Sequence, residues 1–322
     1  MALVNLVADV GGTNMRLAIS DTHGVLKNMQ VYQCKEYDSL SAILHNYLGL
    51  NGLSGQSVNA CIAIACPVDE DEIILTNLPW TFSKSALKAE FGFNQLALIN
   101  DYTAMAFAAA TLSNEQKVQI GNGNAIDNKP ISICGPGTGL GVSNAVFADE
   151  KCICISGEGG HTDFAPLDST QISILEYLSS IYERVSYEQL LSGLGIEQIY
   201  QAISKLRTGS VDKLTAQEIT EKATAKSCEL CHEALSVFCS VLGSFAGNLA
   251  LTFGSFGGVY IAGGIAPRFI EFISNSEFRQ SFEAKGRLSR FVRDIPTYII
   301  TEPQPGLFGA SAYLQQNGNE EL

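Results

Sequence analysis

Residues 9–16 read DVGGTNMR and follow directly on an apolar, strand-like run, Leu3–Asp9. An acid closes the strand, two glycines turn the chain, and hydroxyl and amide side chains precede the next apolar run. Glycines let backbone N–H groups crowd a bound anion, a common way to hold phosphate. Gly-Gly between apolar runs is equally a normal β-hairpin signal. At this point both a phosphate loop and a plain hairpin stand.

The rest of the chain supplies context. Strands are expected over Leu3–Asp9, Met15–Ser20, Val25–Cys34, Val58–Cys66 and Gln95–Asn100. Helices are expected over Asp38–Leu48, capped by Asp38 or Ser39, over Ser83–Phe91, stopped by Gly92, and over Tyr102–Leu112. The same order then returns. Ile131–Cys134 leads into Gly135-Pro136-Gly137-Thr138-Gly139, Val142–Phe147 continues as strand, and Lys151–Ile155 is a third. Gly257–Ala262 reads as a buried strand ending in the glycine turn Gly263-Gly264, followed by strand Pro296–Thr301 and helix Gly306–Gln315. A helical insertion fills about Gln171–Phe253. The chain therefore reads as two copies of one α/β module, the second expanded by helices. Two facing strand–glycine–threonine–strand hairpins would clamp phosphate across an interdomain cleft, a favoured place for small-molecule sites.

Composition narrows the function classes. With 322 residues, 46 % hydrophobic and 16 % charged, the chain can bury a sizeable core and reads as globular, not disordered. Net charge is −13, from 33 acidic and 20 basic residues, which argues against a nucleic-acid or anionic-membrane binder. No run of about 18 consecutive apolar residues spans a membrane. The start, Met1 to Asn5, lacks a basic region, so no signal peptide is expected and a cytoplasmic location follows. The nine cysteines are scattered and many lie in apolar runs (Cys61, Cys66, Cys134, Cys239), as expected of small buried hydrophobes in a reducing compartment. Cys228-Glu229-Leu230-Cys231-His232 fits a haem-attachment spacing, and Cys152-x-Cys154 could complete a four-thiolate metal site. Core packing is the better reading: in a helix-like stretch Ala223–Phe253, Cys228, Cys231, Leu235, Phe238, Leu242 and Phe245 share one face.

Longer strings carry a resemblance. DVGGTNMR at 9–16, CIAIACPV at 61–68, IND at 99–101, GPGTGLGV at 135–142, GEGGHTDFAP at 157–166, LSGLG at 191–195, GGVYIAGGIAPR at 257–268 and PGLFGA at 305–310 resemble the bacterial glucokinases, along nearly the whole chain. These form the zinc-free group of the actin-like sugar kinase superfamily. The resemblance implies an α/β fold of two actin-like, ribonuclease H-like modules flanking an interdomain cleft. It implies a small domain of residues 1–111 plus 302–322 and a large domain of 112–301, with the helical insertion at about 171–253. It implies ATP-dependent phosphorylation of glucose to glucose 6-phosphate, the first step of glycolysis, by a cytoplasmic homodimer using Mg²⁺. The cysteine-rich zinc motif of the related repressor/kinase family is missing after His161, so no structural zinc is expected. The short lead before the first strand leaves no room for that family's DNA-binding helix-turn-helix.

Residue roles follow from the same resemblance. Asp101 lies just past a strand end, at a helix start, where α/β clefts open. By spacing alone it is an ordinary N-cap; the resemblance makes it the general base that takes the proton of the attacking sugar hydroxyl. Asn100, Asp101, Glu158, His161 and Glu188 match sugar-binding positions, suited to hydroxyls that both donate and accept. Read locally, Glu188 is an acid in a helical first turn, boxed by Ser186 and Gln189. Asp9, Gly11, Gly12, Thr13 and Asn14 should face the ATP phosphates from one side and Gly137, Thr138 and Gly139 from the other. Asp9 should hold Mg²⁺, mainly through water. Gly263 and Gly264 should admit the adenosine, or else serve tight strand–helix packing. Arg16 fits a structural or a phosphate-facing role equally. There is no GxxxxGK[ST] loop, and no GxGxxG opening a helix, which disfavours P-loop kinases and Rossmann dehydrogenases. Kinases for mannose, fructose or an amino sugar, and a non-catalytic sugar sensor, remain alternatives.

Overall fold

A computed structural model describes residues 4–75, 77–149 and 151–318. The expected first strand residue, Leu3, and the last four residues of the expected small domain lie outside the described residues. The chain divides into two compact units, Met1–Leu112 with Glu302–Leu322, and Ser113–Thr301.

Unit 1 begins with β1 (Val4–Val10), β2 (Asn14–Ser20) and β3 (Leu26–Gln33), then α1 (Leu40–Leu50) and β4 (Val58–Ile64). A small hairpin follows, β5 (Glu72–Ile74) and β6 (Thr81–Ser83), then α2 (Lys84–Phe91), β7 (Gln95–Asn100) and α3 (Asp101–Thr111). Its five-stranded sheet runs β3-β2-β1-β4-β7, antiparallel among the first three strands and parallel from β1 through β4 to β7. Ser39 caps α1 by accepting the Ala42 N–H, and Ser83 caps α2 by accepting the Ala86 N–H.

Unit 2 holds β8 (Lys117–Ile120), β9 (Ile131–Pro136), β10 (Leu140–Ala148) and β11 (Lys151–Gly157). Helices α4 (Ser169–Ser179), α5 (Gly193–Thr208), α6 (Ala216–Thr224) and α7 (Glu229–Phe253) follow. Then come β12 (Gly258–Ile261), the short α8 (Ile270–Ser274), α9 (Phe278–Glu283) and α10 (Ser289–Arg293), and β13 (Thr297–Ile300). The sheet order is β11-β10-β9-β12-β13-β8. Its first five strands repeat unit 1: three antiparallel, then two parallel pairings, β9 with β12 and β12 with β13. The internal duplication is thus visible in topology, with β8 added at the edge. Between third and fourth strands the first copy carries α1 alone, whereas the second carries α4–α7. The final helix α11 (Pro305–Asn317) belongs to unit 1.

Side-chain alternation explains the layering. On one face of the unit 1 sheet, Leu6, Ala8, Val10 and Leu17 pack with Ile43, Leu44 and Tyr47 of α1. On the other, Val7, Ala18, Cys61 and Ile99 pack with Ala104 of α3 and with Leu307, Ala310 and Leu314 of α11. A Cβ at Gly309 would lie 1.8 Å from the Ala104 carbonyl oxygen, so α3 and α11 meet nearly backbone to backbone. In unit 2 the core forms around α7, whose Phe238, Leu242 and Phe245 are buried with Val259, Ile261 and Ile299. Helix α7 is long and apolar enough to cross a membrane by length and composition, yet most of it is buried in this core.

Two expectations need correction. The stretch 223–253 is not one helix: α6 ends at Thr224, Lys226 takes a positive φ of 55°, and α7 starts anew with Cys228 as its N-cap. Cys228 is therefore half-buried and bonded to backbone, while Cys231, Leu235, Phe238, Leu242 and Phe245 keep the buried face. The β5–β6 hairpin was not expected, because its three-residue strands are too short for a period-2 signal.

Candidate active site

In unit 1 the parallel register aligns the C-terminal ends of three strands, with Val10 opposite Ile64 and Ile64 opposite Asn100. Asp9 and Asp101 thereby share one end of the sheet. Asp9 faces Arg16 across the hairpin, with carboxylate and guanidinium 3.7 Å apart. Burial pushes the Asp9 carboxyl up to about 6; Arg16 opposes the shift and the Asp101 charge adds to it. The two acids are thus electrically coupled. A Cβ at Gly306, in the first turn of α11, would lie 2.7 Å from the Asp9 carboxyl carbon. A glycine is needed there for the helix to close over the acid.

Asn100, not Asp101, is the N-cap of α3: its side-chain oxygen accepts the Tyr102 N–H at 2.9 Å. Asp101 is the first helical residue, and its Oδ1 accepts the same N–H at 3.0 Å. The local N-cap reading of Asp101 is corrected accordingly. Both side chains are oriented from below by one amide.

The turn at 11–13 is a true hairpin: the Gly11 N–H donates to the Asn14 carbonyl at 3.0 Å. Cys34 takes its outward carbonyls, donating N–H to Thr13 O at 2.9 Å and Sγ–H to Gly11 O at 3.6 Å. The exposed N–H groups of Gly12 and Thr13 have no hydrogen-bond acceptor among the described residues. Hairpin and anion-holding loop are therefore compatible readings of one turn. A small hollow beside it is bounded by Gly12, Ile64, Leu75 and Asn77. Asn77 lies in the β5–β6 connection and would touch a Cβ placed on Gly12. Sequence reasoning missed this residue; the Asn77-Leu78-Pro79 turn chemistry is the only signal it offers.

Unit 2 builds its own cluster. The second glycine turn spans 137–139, with Gly137 N–H donating to Gly139 O at 2.8 Å. The start of α5 locks it, Gly193 N–H donating to Gly137 O at 2.9 Å. Glu188 sits in a 3₁₀ turn boxed by Ser186 and Gln189, as its spacing implies. Its Oε2 accepts the Leu140 N–H at 2.8 Å, and its Oε1 lies 3.9 Å from His161 Nδ1. Glu158 and His161 flank another 3₁₀ turn, Gly159–His161. A Cβ at Gly160 would lie 2.0 Å from Leu140 O, so only glycine lets this turn sit on the strand. Residues 162–164 zip to 185–187 by Phe164 N–H to Val185 O and Tyr187 N–H to Thr162 O, both at 3.0 Å. Arg184 ties the same loop, bonding Asp163 and the His161 carbonyl. Glu188 is thus hydrogen-bonded beside the glycine turn, with His161 3.9 Å away.

Gly263 and Gly264 separate in role. Gly263 has φ +80°, and a Cβ there would lie 2.4 Å from Pro136 O, beside the glycine turn. Gly264 has open space at its Cβ position. Tight packing accounts for the first, and the second is free to face a ligand.

Known proteins match this arrangement over its full extent. A glucokinase family model matches residues 6–317. A glucokinase of Colwellia psychrerythraea is 56 % identical over 319 residues, covering 98 % of this chain and 97 % of its own. One of Photorhabdus laumondii is 45 % identical over 317 residues, covering 98 % of each. The crystal structure of a glucokinase from an Antarctic psychrotroph superposes with a TM-score of 0.89 at 35 % identity, over 97 % of this chain and 98 % of that one. The duplicated α/β modules, their two glycine turns and the matches beyond them have one explanation: this chain belongs to the glucokinase family.

Proposed function

We propose that the chain transfers the γ-phosphoryl group of ATP to the 6-hydroxyl of glucose, giving glucose 6-phosphate. Phosphoryl transfer asks the protein for alignment, charge neutralisation and a proton acceptor rather than covalent chemistry. Asp101 takes the hydroxyl proton as the oxygen–phosphorus bond forms. Asn100, Glu158, His161 and Glu188 supply the mixed donors and acceptors that a hexose needs. The N–H groups of Gly12 and Thr13, and of Thr138 and Gly139, receive the phosphates, and the open side of Gly264 receives the adenosine. Asp9, a half-buried acid whose one ion pair among the described residues is a long contact to Arg16, fits a divalent cation held through water. We assign Mg²⁺ to it; when bound, the ion neutralises phosphate charge.

One observation carries the reading: a single carboxylate, Glu188, is bonded next to the glycine turn at Leu140 and reaches His161, joining the sugar residues to the phosphate residues. The reading extends to a cytoplasmic homodimer without structural zinc, nucleic acid or membrane as partner. Its test is ADP release from ATP and Mg²⁺ over glucose, mannose, fructose and glucosamine, with the product's phosphate position read by NMR. Preference for glucose with phosphate on O6 is expected. Turnover on another hexose alone, or none on any, overturns the assignment.

A further inference from the structure

Cys228 caps α7 from outside its core, and Cys231 lies one turn in, fully buried. The Cys231 N–H donates to Cys228 Sγ at 3.4 Å, which draws the two residues together across the first turn. This is a dithiol with an outer and an inner member at the start of a 25-residue helix. N–H groups converge there and the helix dipole favours negative charge, both of which stabilise a thiolate. Burial opposes ionisation of Cys228, but the Cys231 N–H and thiol, the Leu230 N–H and the Lys222 ammonium outweigh it, holding it below the ordinary thiol range. Cys231 goes the other way, raised by burial and by its neighbour. Cys61, Cys134 and Cys239 are buried and raised by burial. Among the nine cysteines, only Cys228 and Cys154 are half-exposed, and Cys228 also stands at a helix start and receives the backbone N–H of a second cysteine.

We propose that Cys228 and Cys231 form a peroxide-reactive dithiol, Cys228 being the attacking sulfur and Cys231 the resolving one. The Cys228 thiolate attacks one peroxide oxygen, the O–O bond breaks, and a sulfenic acid forms as hydroxide leaves and is protonated. The Cys231 sulfur then attacks that sulfur, the S–O bond breaks, and the departing hydroxide takes the Cys231 proton as water. Two thiols and one peroxide give one disulfide and two waters. An external dithiol reverses the link by exchange.

The test uses the full chain, reduced, exposed to hydrogen peroxide, alkylated and read by fragmentation mass spectrometry. The Cys228–Cys231 link should form about tenfold faster than any other cysteine oxidises, and dithiothreitol should remove it. Cys228→Ser keeps a capping oxygen and should abolish the link without changing the rates at the other cysteines. Cys231→Ser should leave a sulfenic acid on Cys228 that dimedone traps. If Cys154 or a core cysteine of the unaltered protein reacts first, or the link never forms, the proposal is wrong.

Discussion

Asp9 shows how one side chain can serve function at the expense of stability. Its carboxyl binds a proton near pH 6 in the folded chain but near 3.8 when unfolded. Folding thus takes up a proton between those values, so this group's contribution is full below about pH 4 and is lost as pH rises through about 6. Above pH 6 the ligand-free protein holds a half-buried charge whose counterion, Arg16, stands 3.7 Å away. Asp9→Asn removes it and should stabilise the free protein by about 1–3 kcal/mol at pH 7.5, the gain vanishing below pH 4. Thermal melts across pH check this, and equal melting points at pH 7.5 would refute it. The same variant should lose the stabilisation that Mg²⁺ with ATP gives the unaltered protein. Asp101 differs, since its proposed task is a proton transfer. Asp101→Asn should lower kcat by about 10²–10⁴-fold while glucose still raises the melting temperature. Near-normal turnover would remove it from the role of base.

At the scale of elements, glycines that look alike do different work. A Cβ on Gly139 would lie 2.5 Å from Glu188 Oε2, the movable end of a side chain. Gly139→Ala should therefore leave the fold intact but push that carboxylate off the Leu140 N–H, raising the KM for glucose about tenfold or more. A Cβ on Gly160 meets the Leu140 carbonyl, which cannot yield without moving strand β10. Gly160→Ala should cost stability itself, about 2–4 kcal/mol, read as a lower urea midpoint. The reverse pattern, a stable Gly160→Ala and an unfolded Gly139→Ala, would show the contacts to be misassigned. Strand–glycine–strand runs, the Ser39 cap and the Ser186–Gln189 box were legible because each is a local signal of adjacent residues. Asn77 was not: its place beside Gly12 depends on a hairpin of two three-residue strands, too short for periodicity to reveal. The break at 225–228 was also hidden, since a thiol cap and a lysine at positive φ leave no glycine or proline as a marker. Nor could spacing tell that Glu188 and Leu140, 48 residues apart, share a hydrogen bond.

For the whole molecule, duplication explains why one turn type occurs twice, and charge decides how such turns must work. The chain carries −13, and neither DVGGTNMR nor GPGTGLGV contains a lysine; their one base, Arg16, already leans on Asp9. A nucleotide approaching such a protein is repelled at long range, and its affinity has to come from short-range N–H donors and a divalent cation. Screening should then help or do nothing. Raising KCl from about 20 to about 200 mM shortens the Debye length from roughly 20 Å to roughly 7 Å and should leave the KM for ATP unchanged or lower it. A site cradled by lysines would lose affinity steeply over the same range. Chelation of Mg²⁺ should abolish turnover at every salt concentration, because neither turn sequence carries a lysine that could substitute for the ion. A KM that climbs severalfold with KCl, or turnover surviving excess chelator, would mean that unrecognised basic groups, not backbone amides and metal, hold the phosphates.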